Sequence, residues 1–295
     1  MFTSMTGYGR AQVERDWGSL SLELWSVNHR YQEVTVRLPR ELASWEPWFH
    51  QRLRKGFRRG KVQGKLEILW AASRKAGRVN REAFLHFFRE LDALRRETGE
   101  GGDIALDRLL GMPGVLEVPL LEGQTSQEDL ETLLEGLLQE ALGAWNAMRR
   151  TEGAALWGEV LGHLESYEGW IRRIDETWAS SRDQAYEATK GRIRELLDAA
   201  GVAPDEHRWM QELAYLADRW DVSEELARIR SHLSQFRKLG QEAEGSGRKL
   251  DFLVQELNRE TNTLDSKVAD AAIRALAVEA KAALERVREQ IQNLE

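Results

Sequence analysis

The sequence predicts an α+β protein: a small antiparallel-sheet domain at the N-terminus, followed by a mainly α-helical body with long projecting helices. Three observations carry this. Apolar and polar residues alternate with period two before Pro47, the apolar spacing turns to three and four from Asn80 onward, and two stretches of more than 80 residues contain no proline. Period two marks strands with one buried face, and a period near 3.6 marks amphipathic helices. Proline inside a helix costs about 3 kcal/mol, so proline-free segments rich in Leu, Ala, Glu and Arg are where long helices are permitted.

Residues 4–14 read as a first strand. Leu20, Leu22 and Leu24 alternate with Ser21, Glu23 and Trp25 in a second, with Trp17-Gly18 as the intervening turn. Val34, Val36 and Leu38 alternate with Thr35 and Arg37 in a third, and Val62, Leu66, Ile68 and Trp70 with Gln63, Lys65 and Glu67 in a fourth. Between these two, Glu41 to Lys55 reads as one helix with Leu42, Trp45, Phe49 and Leu53 along its apolar face. Phe84, Phe87, Phe88, Leu91 and Leu94 form a helical stripe that ends in a Gly-rich break at 99–102, and a short segment follows to Met112-Pro113-Gly114. Residues 126–200 can form one or two very long helices, marked by Leu130, Leu134, Leu137, Leu138, Trp157, Leu164, Ile171 and Trp178. At 1.5 Å per residue, fifty helical residues span about 75 Å, more than a compact domain is wide, so such a helix projects or pairs with a partner. Residues 205–295 read as three helices, broken near Asp221 and at Gly245-Ser246-Gly247, the last with Ile273, Leu276, Ala280, Leu284, Val287 and Ile291 in nearly heptad order. The expected division is a basic domain at 1–80, a long-helix arm at 81–204 and a helical C-terminal domain at 205–295.

Composition bounds the function. The chain has 295 residues, ample for a sizeable core, and its 42% hydrophobic and 31% charged residues fit neither wholesale disorder nor a membrane protein. The first 25 residues lack the apolar core of a signal peptide, so a cytoplasmic protein without membrane partners is expected. Zero Cys removes disulfides, thiolate zinc sites, iron–sulfur clusters and Cys nucleophiles, leaving oxygen and imidazole ligands for any metal. The formal charge of −7 argues against nucleic acid until it is divided by region. Residues 1–80 hold 15 Lys and Arg against 7 Asp and Glu, a balance of +8; residues 81–204 stand at −11 and 205–295 at −4. A basic domain beside acidic helices suits a polyanion held at one surface. The plainer reading of Arg52, Arg54, Lys55, Arg58, Arg59 and Lys61 is a solvated helix end, where cations are favourable.

The densest polar run is 247–263, followed by Ser266-Lys267. On a helix, Leu250, Leu253, Val254 and Leu257 form its buried stripe, while Glu256, Glu260 and Lys267 share another side. Carboxylates four residues apart can bind one cation together. Asn258, Asn262 and Thr263 are poor helix formers, and capping a break explains only one or two of them. Upstream, Asp218, Asp221, Glu224, Glu225, Arg228 and His232 lie on adjacent turns; Asp221 to Glu224 also reads as an N-terminal cap. Acidic pairs with a nearby imidazole suit Mg²⁺- or Mn²⁺-assisted attack on a phosphodiester, although a lone helical His is more often structural. Dinucleotide, phosphate-loop, H-E-x-x-H and G-x-S-x-G fingerprints do not occur. Trp145, Trp157, Trp170 and Trp178 follow the helical stripe as core, whereas Tyr8, Trp25 and Tyr31, in the basic domain, can stack on bases.

Several of these strings together resemble one family. Ser4-Met5-Thr6-Gly7-Tyr8-Gly9-Arg10-Ala11, Ser26-Val27-Asn28-His29-Arg30-Tyr31, Arg37-Leu38-Pro39 and Arg59-Gly60-Lys61-Val62 resemble the N-terminal domain of the bacterial YicC/YloC proteins. Asp221-Val222-Ser223-Glu224-Glu225-Leu226, Ser231-His232-Leu233, the 247–263 run, Ser266-Lys267 and the terminal 288–295 segment are similar to its C-terminal domain. The resemblance implies a metal-dependent endoribonuclease acting on bacterial RNA, assembled as a ring-like homo-hexamer whose helical arms enclose the substrate. Carried over by position, Glu224, Glu225, Glu256 and Glu260 are candidate ligands for Mg²⁺ or Mn²⁺, with His232, Glu256 and Glu260 as the candidate cleavage centre. Arg10, Asn28, His29, Arg30, Lys61, Arg228, Arg248, Lys249, Arg259 and Lys267 are candidates for contacting RNA. Two departures stand out: Gln32 where the family usually has an apolar residue, and Leu264-Asp265 in place of a typical Ile-Gly.

Two readings compete with cleavage. One is a non-catalytic RNA-binding adaptor that presents RNA to other ribonucleases of RNA decay, its carboxylates merely pairing with Arg228, Arg248 and Arg259. The other, a coiled-coil scaffold, accounts for 126–200 and the C-terminal stripe but not for the basic domain. Within the cleavage reading, attack by water and attack by the RNA 2′-hydroxyl both remain open.

Overall fold

The computed structural model describes residues 2–72, 77–99, 102–117, 126–199, 201, 206–242, 247–268 and 270–295. They fall into two compact units, Thr6–Met148 and Met1–Met5 with Arg149–Glu295.

In the first unit, β1 (Gly7–Arg15), β2 (Gly18–Val27), β3 (Gln32–Arg37) and β4 (Gly60–Trp70) form a sheet of order β1-β2-β4-β3. The β1/β2 and β2/β4 ladders are antiparallel and β3 runs parallel to β4, so the sheet is mostly antiparallel, as expected, with one parallel pair. A parallel neighbour requires a crossover, and the helical segment between β3 and β4 supplies it. That segment is a 3₁₀ turn, Arg40–Trp45, followed by α1 (Glu46–Arg54), not one helix from Glu41. Pro47 explains the division: with no N–H it cannot extend an α ladder backward, yet it is well suited to the first turn of a new helix.

One face of the sheet is apolar, with Ala11, Leu20, Leu22, Leu24, Val36, Val62 and Leu66 packed against Leu42, Phe49 and Leu53. It is closed by Leu134, Leu137, Leu138, Ala141 and Trp145 from the first turns of α4 (Gln127–Ala199). The approach of that helix to the strand is close enough to require glycine. A Cβ on Gly9 would lie 2.2 Å from the Ala141 carbonyl oxygen and 2.6 Å from the Trp145 nitrogen. Before α4, the stretch β5 (Arg78–Val79), α2 (Arg81–Thr98), α3 (Leu106–Leu109) and β6 (Leu116–Glu117) closes on itself by antiparallel pairing of β5 with β6. Asn80 caps α2 by accepting from the Ala83 N–H, and Gly99, at φ 70°, ends it. The Phe84 stripe is present on α2, but none of its residues is fully buried.

Residues 127–199 are a single helix of 73 residues. From Arg149 onward it belongs to the second unit, where Val160, Leu164, Tyr167, Ile171 and Ile174 enter a shared core. Around it stand α5 (Glu206–Trp220), α6 (Ser223–Gln241), α7 (Gly247–Lys267) and α8 (Ala271–Ile291). The described residues of 205–295 thus form four helices, one more than expected. The additional break lies before α8, where the Asp270 side chain caps the helix by accepting from the Ala272 N–H at 2.7 Å. Most of the expected break at Gly245-Ser246-Gly247 lies outside the described residues; α7 begins at Gly247. The chain's ends meet in this unit: Ser4 bridges Leu294, and buried Arg149 donates to the Ser4 carbonyl and pairs with Glu295. Among the described residues no helix is long and apolar enough to cross a membrane.

Candidate active site

Helices α6 and α7 pack side by side through Leu226, Ile229, Leu233 and Phe236 on one and Leu250, Leu253, Leu257 and Leu264 on the other. Because a helix turns by a fixed angle per residue, this apolar seam determines where the polar side chains at its edge must point. His232 from α6 and Glu256 and Glu260 from α7 meet there. One ligand atom from each lies within 4.8 Å of the others.

Glu260 is only 4% exposed, and its ion partner among the described residues is Arg228 at 3.6 Å, from a half-exposed side chain. Arg228 also pairs with Glu224 one turn earlier, and Arg259 reaches Glu256 at 3.5 Å. Pairs this long or this exposed contribute about 0–1 kcal/mol, whereas burying a carboxylate costs several kcal/mol unless it is well compensated. The His232 Nδ1 atom is likewise buried and has no hydrogen-bond partner among the described residues. Two carboxylates and an imidazole at this separation form a donor set for one divalent cation, or an acid–base pair beside a bound phosphate.

Glu224 and Glu225 stand apart from the trio. Glu224 is exposed and held by Arg228. Glu225 is buried, with one oxygen 2.7 Å from Lys267 Nζ and the other without a hydrogen-bond partner among the described residues. Lys267 also donates to the Asp221 carbonyl at 2.9 Å, joining the end of α7 to the start of α6. Asp221 stands one residue outside the capping position its spacing suggested, since the N-cap of α6 is Val222 with no side-chain cap bond; bonds from the Ser223 hydroxyl, then from its N–H, hold the Asp221 carboxyl below the usual range. The two departures from the family pattern are locally satisfied. Gln32 donates to the carbonyls of Arg54 and Phe57 at 2.7 and 2.6 Å, and Asp265 pairs with Lys281 at 2.9 Å while α7 continues unbroken through it.

One support was missed in the sequence. Tyr167, fully buried on α4, bonds through its hydroxyl to Thr261 at 2.9 Å, and Thr261 follows Glu260 directly. Burial, with a further push from the Glu260 charge, raises the Tyr167 phenol well above its ordinary value. The available signal was Thr261 itself, a β-branched hydroxyl on the buried side of α7.

The basic candidates divide between the units. On α7, Arg248, Lys249 and Arg259 are exposed. In the first unit, Asn28, His29 and Arg30 occupy the β2–β3 connection, and Lys61 stands opposite Val27 in the ladder beside it. There Arg59 donates to the His29 carbonyl, the Arg30 guanidinium lies 5.4 Å from the exposed Tyr31 ring, and Lys61 pairs with Glu33 at 3.4 Å. Arg10 lies further along, on β1, paired with Glu23 at 3.8 Å.

Comparison with known proteins covers the chain. Residues 2–157 match the family described as endoribonuclease YicC-like, N-terminal region, and residues 174–295 match endoribonuclease YicC-like, C-terminal. A protein of Haemophilus influenzae named probable endoribonuclease YicC is 35% identical over 296 residues, covering 100% of both chains. A protein of the same name from Clostridioides difficile is 31% identical over 299 residues, again covering 100% of both. With its two regions matched in order and its relatives aligned from end to end, the chain belongs to the YicC-like endoribonuclease family.

Proposed function

We propose that this protein is a metal-dependent endoribonuclease whose cleavage centre is His232, Glu256 and Glu260. The observation that carries the reading is the buried Glu260 carboxylate, weakly compensated, grouped with Glu256 and with His232, whose Nδ1 has no hydrogen-bond partner among the described residues. A cation held by the three would compensate the buried carboxylate, and the relatives are named probable endoribonucleases. His232, Glu256 and Glu260 are the residues that would hold Mg²⁺ or Mn²⁺. When bound, such an ion supplies Lewis-acid stabilisation of a phosphoryl oxygen and lowers the pKa of its water. Arg228 and Arg259, already beside the carboxylates, are placed to neutralise neighbouring phosphates as RNA enters. Were the ion held by Glu256 and Glu260 alone, the imidazole would instead be the group that accepts or returns a proton.

The test is a defined RNA incubated with wild type and with Glu256→Gln, each with Mg²⁺, Mn²⁺ or EDTA. Cleavage by wild type that EDTA abolishes, with RNA still bound but intact in the variant, is the expected result. Wild-type cleavage rates in Glu256→Gln would remove Glu256 from the centre, and cleavage undiminished by EDTA would remove the metal. Cyclic phosphate ends on the products would identify the 2′-hydroxyl, not water, as nucleophile. The proposal extends to a homo-hexamer that encloses the RNA, as the family resemblance implies; a single-chain mass by native mass spectrometry would overturn that part. A non-catalytic adaptor is favoured by one observation, the Arg228–Glu260 and Arg259–Glu256 pairs, and it predicts RNA of unchanged length under every condition.

A further inference from the structure

A groove of about 340 Å³ lies along the same two helices that carry the trio, lined by Gln235 and Leu239 of α6 and Arg248, Lys249, Phe252 and Leu253 of α7. Its position follows from the helical register. On α6, His232, Gln235 and Leu239 fall at i, i+3 and i+7; on α7, Glu260, Glu256, Phe252 and Arg248 fall at successive intervals of four. Each step of three or four places neighbours side by side with a drift of about 40° per step of four, so Phe252 adjoins Glu256 and Gln235 adjoins His232, and each helix leads from the trio toward the groove. Phe252 is one turn, about 6 Å of helical rise, from Glu256.

Phe252 lies outside the buried apolar stripe of α7 and is 58% exposed. An isolated surface phenylalanine is unremarkable. Here the ring sits between cations: Arg248 and Lys249 are exposed one turn before it, and Arg259 lies beyond Glu256. An aromatic face edged by cations, on the helix that holds the candidate carboxylates, matches the requirements of a single-stranded polyanion whose bases have π-faces.

We infer that this groove is a nucleobase-stacking subsite, with the Phe252 ring as platform for a base of single-stranded RNA near the scissile bond and Arg248 and Lys249 on the adjoining phosphates. Gln235, exposed on the opposite wall, offers an amide to the edge of the stacked base. The inference rests on the RNA-cleaving reading, and it adds that one nucleotide is gripped through its base. Phe252 is therefore a positioning residue, acting on where the phosphate lies and not on the chemistry.

The test measures binding of a fluorescent single-stranded oligoribonucleotide by anisotropy in the full-length Glu256→Gln protein, with RNA integrity checked on a gel and the assembly state followed by sedimentation. Phe252→Ala should weaken binding roughly 5- to 150-fold, the usual loss of one stacked base, and Phe252→Trp should restore it. An oligonucleotide series with one abasic position moved along the strand should contain a member for which Phe252→Ala makes no further difference. If the parent protein binds RNA but Phe252→Ala binds equally well, the subsite is wrong while the cleavage reading stands. If the parent binds no RNA, the reading beneath it fails instead. A Phe252→Ala protein that changes assembly state, with no abasic position masking the effect, would assign the ring to a contact between copies of the chain and overturn the inference.

Discussion

The bond between Tyr167 and Thr261 yields a prediction whose signs are worked out from the structure. The Thr261 hydroxyl donates its one proton to the Leu257 carbonyl at 2.8 Å, so the Tyr167 hydroxyl must be the donor in the 2.9 Å bond between them. Tyr167→Phe removes that donor and leaves Thr261 with a spare acceptor site, which costs only the net worth of a hydrogen bond, about 0.5–1.5 kcal/mol. Thr261→Val, close to isosteric, instead strands the phenol proton where Tyr167 is fully buried. A buried unsatisfied donor costs about 1–3 kcal/mol, so Thr261→Val should be the more harmful change although it removes the smaller polar residue. With both replaced, neither polar group remains, and the double variant should be more stable than Thr261→Val alone. Urea unfolding followed by far-UV circular dichroism at one protein concentration measures this through the midpoint at unchanged slope. A loss of about 2 kcal/mol corresponds to about 4–8 °C in melting temperature for a unit of 150–250 residues. Costs that add within about 0.5 kcal/mol, or a Thr261→Val protein as stable as wild type, would refute the assignment of donor and acceptor.

Three further outcomes follow from the same coordinates. Lys267→Met leaves the buried Glu225 carboxylate without its 2.7 Å partner and should cost about 3–5 kcal/mol in urea unfolding, with Lys267→Met/Glu225→Gln recovering much of it; an unchanged midpoint for the single variant would refute the pairing. Gly9→Ala drives a methyl into the Ala141 carbonyl and the Trp145 backbone, so α4 must shift; about 1–3 kcal/mol should appear as a lower melting temperature. Because the Tyr167 phenol is raised in the folded chain, its contribution to stability is complete below the unfolded value near 10 and is lost as pH rises from there toward the folded value. Wild type should therefore lose stability more steeply than Tyr167→Phe when unfolding is followed from pH 9 to 11, and parallel curves would refute it.

What the sequence disclosed depended on whether the signal was local. The four strands were legible because alternation in Leu20 to Trp25 or Val62 to Trp70 is a property of neighbours, but nothing in a period of two states the direction of β3 relative to β4. The break at Asp270 carries neither Gly nor Pro, and the Ile273 to Ile291 heptad masked it. That Glu256 and Glu260 lie on neighbouring turns was legible from their spacing, and Asn258, Asn262 and Thr263 read as poor helix formers. The helix nonetheless continues through them, and the Thr263 hydroxyl bonds back to the Arg259 carbonyl at 3.1 Å. Tyr167 was illegible because its partner lies 94 residues away and because an aromatic in a stripe of Leu and Trp reads as core.

The same contrast explains why the trio lies where it does. A carboxylate pair displayed on a loop would be solvated and cheap to form, but its separation would be loosely held. On α7 the pair is fixed by Leu250, Leu253, Val254, Leu257 and Leu264, all buried, so the angle at which Glu256 and Glu260 leave the helix is determined by apolar packing. Ile229, Leu233 and Phe236 do the same for His232 on α6. The hydrophobic seam is thus the positioning device, and the Tyr167–Thr261 bond locks its rotation one residue beyond Glu260. The cost is a Glu260 carboxylate buried with its arginine partner 3.6 Å away and half-exposed, a pair too long and too open to offset the full desolvation of the charge.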